Sequence, residues 1–150
     1  MSQEDVSNIV EFINQVLNRS GLNLRATLNE TPDGLRVEVR GEDIALLLGH
    51  NAELLDALEY LGNRYITRIS GEETHVIFDS NNYRARREKE LRLMAQHAAE
   101  KVRLSRKPFS FDPMSPNERR IIHLALSEDK TVRTESQGGG HDRKVTIYPA

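Results

Sequence analysis

Arg119 and His123 stand four positions apart in the stretch NERRIIHLAL, residues 117 to 126, and on a helix that spacing sets a guanidinium beside an imidazole. Arg120 adds a second guanidinium next to them. Arginine near a helix N-terminus faces the positive end of the macrodipole, where Asp or Glu would be favoured, so helix stability does not account for the pair. A planar guanidinium presents a rigid fork of donors that matches phosphate oxygens. With an imidazole alongside, it makes a compact set suited to phosphate or to an RNA base. The alternative is a solvated face on which Arg119 pairs with an acid such as Glu118. Ile121, Ile122, Leu124, Ala125 and Leu126 fall on the other face and read as its core side.

Further cations follow on two alternating segments, TVRTES at 131 to 136 and RKVTIYP at 143 to 149, which flank Gly138-Gly139-Gly140 and predict a closing hairpin. Combining Arg119, Arg120 and His123 with Arg133, Arg143 or Lys144 gives the most economical polyanion surface, and its phosphate contacts would supply affinity without sequence information. The glycine tip reads as a turn or as a wrap for a phosphate. Tyr148 reads as a half-buried structural residue or as a stacking platform for a base.

Other chemistries lack their residues. There is no cysteine, which excludes thiolate metal sites, disulfides and cysteine nucleophiles and favours a reducing cytoplasm. His50, His75, His97, His123 and His141 are scattered, so no metal is expected, and neither a phosphate-binding GxxxxGK[ST] loop nor HExxH occurs. No cofactor and no catalysis are expected. No apolar run approaches the length of a membrane span, and MSQEDVSN is acidic where a signal peptide would be basic.

The elements that must position these residues can be read from periodicity. Val6, Ile9, Val10, Ile13, Val16 and Leu17 recur at helical spacing between Ser2 and Ser20-Gly21. Leu22, Leu24, Ala26 and Leu28 alternate with polar residues, and so do Leu35, Val37 and Val39 after Thr31-Pro32-Asp33-Gly34, which predicts a hairpin. A short helix over 42 to 48 is stopped by Gly49. A second over 52 to 66 is expected with Asn51 as N-cap and Leu54, Leu55, Leu58 and Leu61 inward. HVIFD at 75 to 79 has strand composition. A long helix from Asn82 to about Arg106 carries Leu91, Ala95, Ala98 and Val102 as its stripe, with Arg84 to Glu88 and Glu88 to Arg92 at ion-pair spacing. PFSFDP predicts a short strand, and Ser115-Pro116-Asn117-Glu118 a capping box.

The fold class is therefore α+β, in two small sandwich modules: residues 1–79 with order α-β-β-α-α-β, and residues 80–150 with order α-β-α-β-β. Their charges oppose. Residues 1 to 79 hold six Arg and Lys against fourteen Asp and Glu, a net of −8, and residues 80 to 150 hold fifteen against nine, a net of +6. The basic module is the better candidate for a polyanion.

SPNERRIIHLAL followed by TVRTESQGGGHDRKVTIYP resembles the single-stranded nucleic-acid-binding domain named for its Arg-x-x-x-His pair. GEDIALLLGHNAELLDALEYLGNRYI resembles the GxxG helix-loop-helix of a type II KH domain, and FDSNNYRARREKEL the junction between the two. Together they resemble the bacterial Jag family, the SpoIIIJ-associated proteins. The resemblance implies a regulatory protein that binds single-stranded RNA or DNA, linked to cell elongation or division.

The chain departs from the family pattern twice. The sequence opens at the KH-like module, so the additional N-terminal Jag domain common in the family is expected to be lacking. Where the pattern has G-x-x-G with a basic residue inside, this chain has Gly49-His50-Asn51-Ala52. The glycines of that loop let a nucleic-acid backbone approach closely. Ala52 is expected to fit a helical first position, but His50 is mostly neutral near pH 7 and the neighbours Glu42, Asp43, Glu53, Asp56 and Glu59 are acidic. The loop is expected to bind RNA weakly or not at all. The rival reading is an adaptor whose acidic half binds another protein, a second KH-domain protein being the candidate partner.

Overall fold

The computed structural model describes residues 2–150 and is α+β, with four α-helices and two three-stranded sheets among those residues. The chain falls into two compact units, the first ending at Arg84 and the second covering Ala85–Ala150.

In the first unit α1 (Gln3–Arg19) opens on a capping box between Ser2 and Asp5 and buries Val6, Ile9, Ile13 and Leu17. This face packs with the sheet β1 (Arg25–Thr31), β2 (Gly34–Arg40) and β3 (Phe78–Asp79), ordered β1-β2-β3, in which β2 pairs antiparallel with β1 and parallel with β3. The expected hairpin is present, with Thr31 opposite Gly34. The strand read at 75 to 79 shrinks to two residues for a clear reason. The Asn63 carboxamide accepts from Val76 N at 2.7 Å and donates to Val76 O at 2.9 Å, so both main-chain groups of Val76 are satisfied by a side chain instead of a neighbouring strand.

The two helices expected around residues 49 to 51 form α2 (Ile44–Ser70), which is broken internally. His50, Asn51 and Ala52 all take left-handed backbone angles, with φ of 53°, 58° and 62°. Asn51 is therefore no N-cap and Ala52 no first helical residue. Ala52 is buried, and the core seam continues through Leu55, Leu58, Gly62 and Ile66. Leu61, expected inward, is 39% exposed because the seam passes through the next residue, 100° round the helix. Glycine is required at position 62, since a Cβ there would lie 2.8 Å from the Phe78 ring and 3.0 Å from Ile9.

The second unit is built on α3 (Tyr83–Ser105), whose first two residues belong to the preceding unit and whose expected stripe of Leu91, Ala95, Ala98 and Val102 is buried. Glu88 pairs with Arg92 at 3.1 Å as its spacing predicts. Arg84 does not pair with Glu88. It turns back to Asp56 at 3.0 Å, Glu59 at 3.1 Å and the Phe78 carbonyl at 2.7 Å, all within the first unit. Then come β4 (Phe109–Ser110), α4 (Pro116–Leu126), β5 (Val132–Gln137), a single 3-10 turn at Gly140–Asp142, and β6 (Lys144–Pro149). The sheet order is β4-β6-β5, antiparallel throughout. Its inner face supplies Val132, Val145 and Ile147 to a core shared with Leu91, Ala95, Val102, Phe111, Ile122 and Leu126.

Candidate nucleic-acid interface

Helix α4 begins as its sequence directs. Ser115 is extended, its hydroxyl accepts from Glu118 N at 3.3 Å, and Pro116 occupies the first turn. The capping box is only half made. The Glu118 carboxylate, 6% exposed, is held by Arg87, with Nε to Oε1 at 2.7 Å and Nη2 to Oε2 at 3.4 Å. This fork-to-fork pair fixes α4 against α3 and removes Glu118 as a partner for Arg119.

Arg119 spends one donor on a main-chain acceptor, Nη1 to Met114 O at 2.7 Å. Arg143 does the same, Nη1 to Gly138 O at 2.7 Å, and its own carbonyl accepts from Met114 N at 3.2 Å. The peptide of Met114 thus ties the start of α4 to the hairpin end, bringing Arg119 and Arg143 into one neighbourhood. Arg120 is exposed and makes no polar contact among the described residues. No carboxylate of the described residues lies within ion-pair distance of Arg119, Arg120 or Arg143. Arg87, Arg92, Arg103 and Arg133 are each matched to an acid.

His123 is placed differently from the arginines. Its Nδ1 meets Thr134 Oγ1 at 2.6 Å and its Nε2 meets Ser136 Oγ at 2.8 Å. Successive side chains of a strand alternate between faces, so Thr134 and Ser136, two apart on β5, both point at α4. A neutral imidazole, one donor and one acceptor, satisfies this pair of hydroxyls. Burial, and secondarily the Arg119 charge, hold the His123 pKa below its ordinary value, which keeps the ring neutral. The sequence alone singles out neither hydroxyl. The signal for them is the Thr-x-Ser spacing in TVRTES, legible only once that segment is placed as a strand beside α4.

The six residues predicted for one surface divide. Arg119, Arg120, His123 and Arg143 gather around α4 and the hairpin end. The register pairs Arg133 with Tyr148 and Gln137 with Lys144, which puts Arg133 and Lys144 on the sheet face turned away from α4. Arg133 pairs with Glu135 and lies 4.3 Å from the Tyr148 ring centroid, and the Tyr148 hydroxyl accepts from Gln137. Tyr148 is thus occupied by the protein on one ring face and at its hydroxyl. The glycine tip is a turn closed by Arg143, and a Cβ on Gly138 (φ 92°) would sit 3.0 Å from Asp142 O. Leu124, expected on the core face, is 53% exposed. It lies one turn beyond Arg120, on the outer side of α4.

At the other predicted site, Gly49 to Ala52, the left-handed turn leaves His50 and Asn51 exposed and Ala52 buried. The described residues contain no cluster of three or more potential metal ligands. No helix among them is long and apolar enough to cross a membrane.

Residues 89–149 match the R-three-H domain, the module named for the Arg-x-x-x-His pair. The chain is similar to the RNA-binding protein KhpB of Clostridium symbiosum, with 36% identity over 140 residues, covering 92% of this chain and 63% of that protein. It is also similar to KhpB of Bacillus subtilis, with 34% identity over 123 residues, covering 81% and 59%. A pneumococcal KhpB is 22% identical over 147 residues, 44% of its length. The chain therefore spans less than two thirds of the length of these curated relatives, to which it is homologous.

Proposed function

We propose, from the R-three-H domain and the homology to RNA-binding KhpB proteins, that this chain is a regulatory protein that binds single-stranded RNA through its second unit. The single observation that carries the site assignment is electrostatic. Arg119, Arg120 and Arg143 surround the start of α4 with no carboxylate to neutralise them, and Arg119 and Arg143 are each oriented by a main-chain carbonyl that leaves further donors unused. Guanidinium groups held in this way are preorganised for phosphate oxygens. His123 orients α4 on β5 instead of supplying a charge.

Residues 1–79 read as a KH-like module of type II. The helix-turn-helix at 44 to 70 and the β1-β2-β3 sheet support that reading. Its loop lacks the second glycine and any permanent cation, and it stands among acids, so the module contributes little to RNA affinity.

Fluorescence anisotropy with a short labelled single-stranded RNA, titrated across a salt series, tests the assignment. Log affinity falls with log salt at a slope near −0.7 per phosphate contacted, so Arg119→Ala and Arg143→Ala are each expected to flatten it by about that amount. An unchanged slope in folded variants would remove both residues from the interface.

A further inference from the structure

The outer edge of a sheet is a row of N–H and C=O groups that a further strand could take, and this molecule closes its edges unevenly. In the first sheet β2 is central, and both flanking strands meet side chains on their outer edges. On β1 the Asn14 carboxamide accepts from Ala26 N at 2.8 Å and donates to Ala26 O at 2.9 Å. At β3 and just before it, Asn63 takes both main-chain groups of Val76, the Glu59 carboxylate accepts from Phe78 N at 2.8 Å, and Arg84 donates to Phe78 O at 2.7 Å. Side chains thus stand where a neighbouring strand would lie.

In the second sheet β6 is central, and the edge strand β4 is only two residues long, too short to template a partner. The other edge strand, β5, has six residues and is left open. Its ladder with β6 fixes which groups are free. Ala150 N donates to Thr131 O at 3.0 Å, and hydrogen-bonded pairs recur at every second residue, so Arg133, Glu135 and Gln137 spend their main-chain groups on β6. Val132, Thr134 and Ser136 point theirs outward, and no hydrogen bond among the described residues takes them.

The charges on β5 select what can lie along this edge. Arg133 and Glu135, paired with each other on the outer face, flank Thr134 on either side. A copy of β5 turned about a two-fold axis through Thr134 runs antiparallel. It sets Arg133 opposite Glu135 of the copy, and Val132 opposite Ser136, each contact made twice. The outward groups of Val132, Thr134 and Ser136 then all gain main-chain partners. Moving the axis to Glu135 would oppose two carboxylates, which is destabilising. A strand or a nucleic acid of one charge sign would meet its like at Arg133 or at Glu135, whereas β5 itself alternates sign at the required spacing. We infer that the open edge of β5 is a self-association site, at which two copies of this chain join their second-unit sheets antiparallel about Thr134. The axis stands normal to the sheet, so both copies keep α4 on the same face of the joined sheet. The inference does not depend on RNA binding.

The chain has no cysteine, so introduced cysteines report the pairing directly. Arg133→Cys and Glu135→Cys change exposed side chains, and circular dichroism checks that each variant keeps the fold. Across the proposed junction the two positions form a non-hydrogen-bonded pair with Cα atoms about 4.5 Å apart, within disulfide reach, whereas each lies roughly 7–8 Å from its own counterpart. Copper-phenanthroline oxidation of the full chain, without RNA, is expected to give at least about tenfold more disulfide-linked dimer from an equimolar mixture of the two variants than from either alone. A mixture that links no better than its components overturns the proposal, whether because nothing links or because each variant links to itself. Should hydrogen exchange then show the Thr134 and Ser136 amides protected only after a short single-stranded RNA is added, the edge belongs to the nucleic acid and not to a second copy.

Discussion

Two helix starts in the molecule, at Gly49–Ala52 and at Ser115, were the candidates for phosphate contact, and they are built oppositely. The second half of α2 begins from three successive left-handed residues, His50, Asn51 and Ala52, in surroundings that include Glu42, Asp43 and Glu53. Helix α4 begins from an unstrained Ser115 cap and Pro116, with Arg119, Arg120 and Arg143 around it and its acid, Glu118, withdrawn into a buried pair. Each start presents the positive end of a helix dipole, a contribution of only about 0.3–1 kcal/mol at an exposed surface. The contrast shows that the dipole does not make a polyanion site by itself. The surrounding side-chain charges, and whether carboxylates have already claimed them, decide it.

The most severe way to probe the start of α4 is to free its buried acid. Arg87→Ala leaves the Glu118 carboxylate without its fork, and breaking one side of a buried pair costs about 3–5 kcal/mol. Urea denaturation should show a loss of that order. Arg87→Met with Glu118→Leu should lie much closer to wild type, because no uncompensated charge remains. If Arg87→Ala left stability intact and only weakened RNA binding, Arg87 would belong with the binding cations and the division between structural and binding arginines would fail.

The next effect separates the two faces of the second sheet. Arg119→Ala combined with Arg143→Ala removes two charge-assisted contacts, worth about 1.5–3 kcal/mol each, and should weaken RNA binding by about 100-fold or more. Arg133→Ala combined with Lys144→Ala removes the same formal charge from the opposite face. It should cost no more than about threefold, the scale of a remote, screened charge. Equal losses from both pairs would mean that net charge, not location, governs affinity.

How far the sequence discloses this arrangement depends on the range of the interaction. The α+β class, the α1 face, the hairpins, the α3 stripe and the Ser115 cap follow from periodicities and caps that act within a few residues, and they are present as read. Arg84 choosing Asp56 and Glu59 over Glu88, and Glu118 choosing Arg87 over its own cap, depend on groups 25 to 31 positions away. Local spacing cannot foresee such choices. Helical wheels count apolar residues and so assign Leu61 and Leu124 inward. The seam of α2 runs instead through Gly62, where the Phe78 ring and Ile9 leave no room for a side chain, and that of α4 through Ile122 and Leu126, which the wheel also places inward. At the site itself, the α4 side of the surface is legible from Arg119 and His123. The separation of Arg133 and Lys144 needs the strand register, and the roles of Thr134 and Ser136 need the strand's position beside α4.

A smaller effect tests the strain at the left-handed turn of α2. Left-handed backbone costs a residue with a Cβ about 1–2 kcal/mol, and glycine removes that cost. His50→Gly exposes nothing new, since the imidazole is already exposed, and should raise stability by about 1 kcal/mol. Ala52→Gly gains a similar relief but gives up a buried methyl worth about 0.8 kcal/mol, so it should be nearly neutral. Thermal melts of the two variants distinguish these outcomes. Two equally stabilised proteins would show that the Ala52 methyl contributes nothing to the core.

The smallest expected effect concerns His123 and decides whether its ring belongs to the fold or to the ligand. Burial and the Arg119 charge favour the neutral ring in the folded state, whereas the unfolded chain titrates near 6.5. Between the lowered folded pKa and 6.5 the unfolded state binds more protons, so stability rises with pH there. The contribution is complete above about 6.5 and is lost as pH falls through the folded value. Denaturation midpoints measured from about pH 7.5 to 5.5 should therefore drop more for the wild type than for His123→Gln, which has no proton to gain. RNA affinity over the same range should show no gain specific to the wild type, because Thr134 and Ser136 occupy both ring nitrogens. If wild-type affinity rose as the pH fell and His123→Gln abolished that rise, the imidazolium would be touching phosphate. The ring would then join Arg119 and Arg143 as a ligand contact, and the start of α4 would owe part of its positive field to a proton.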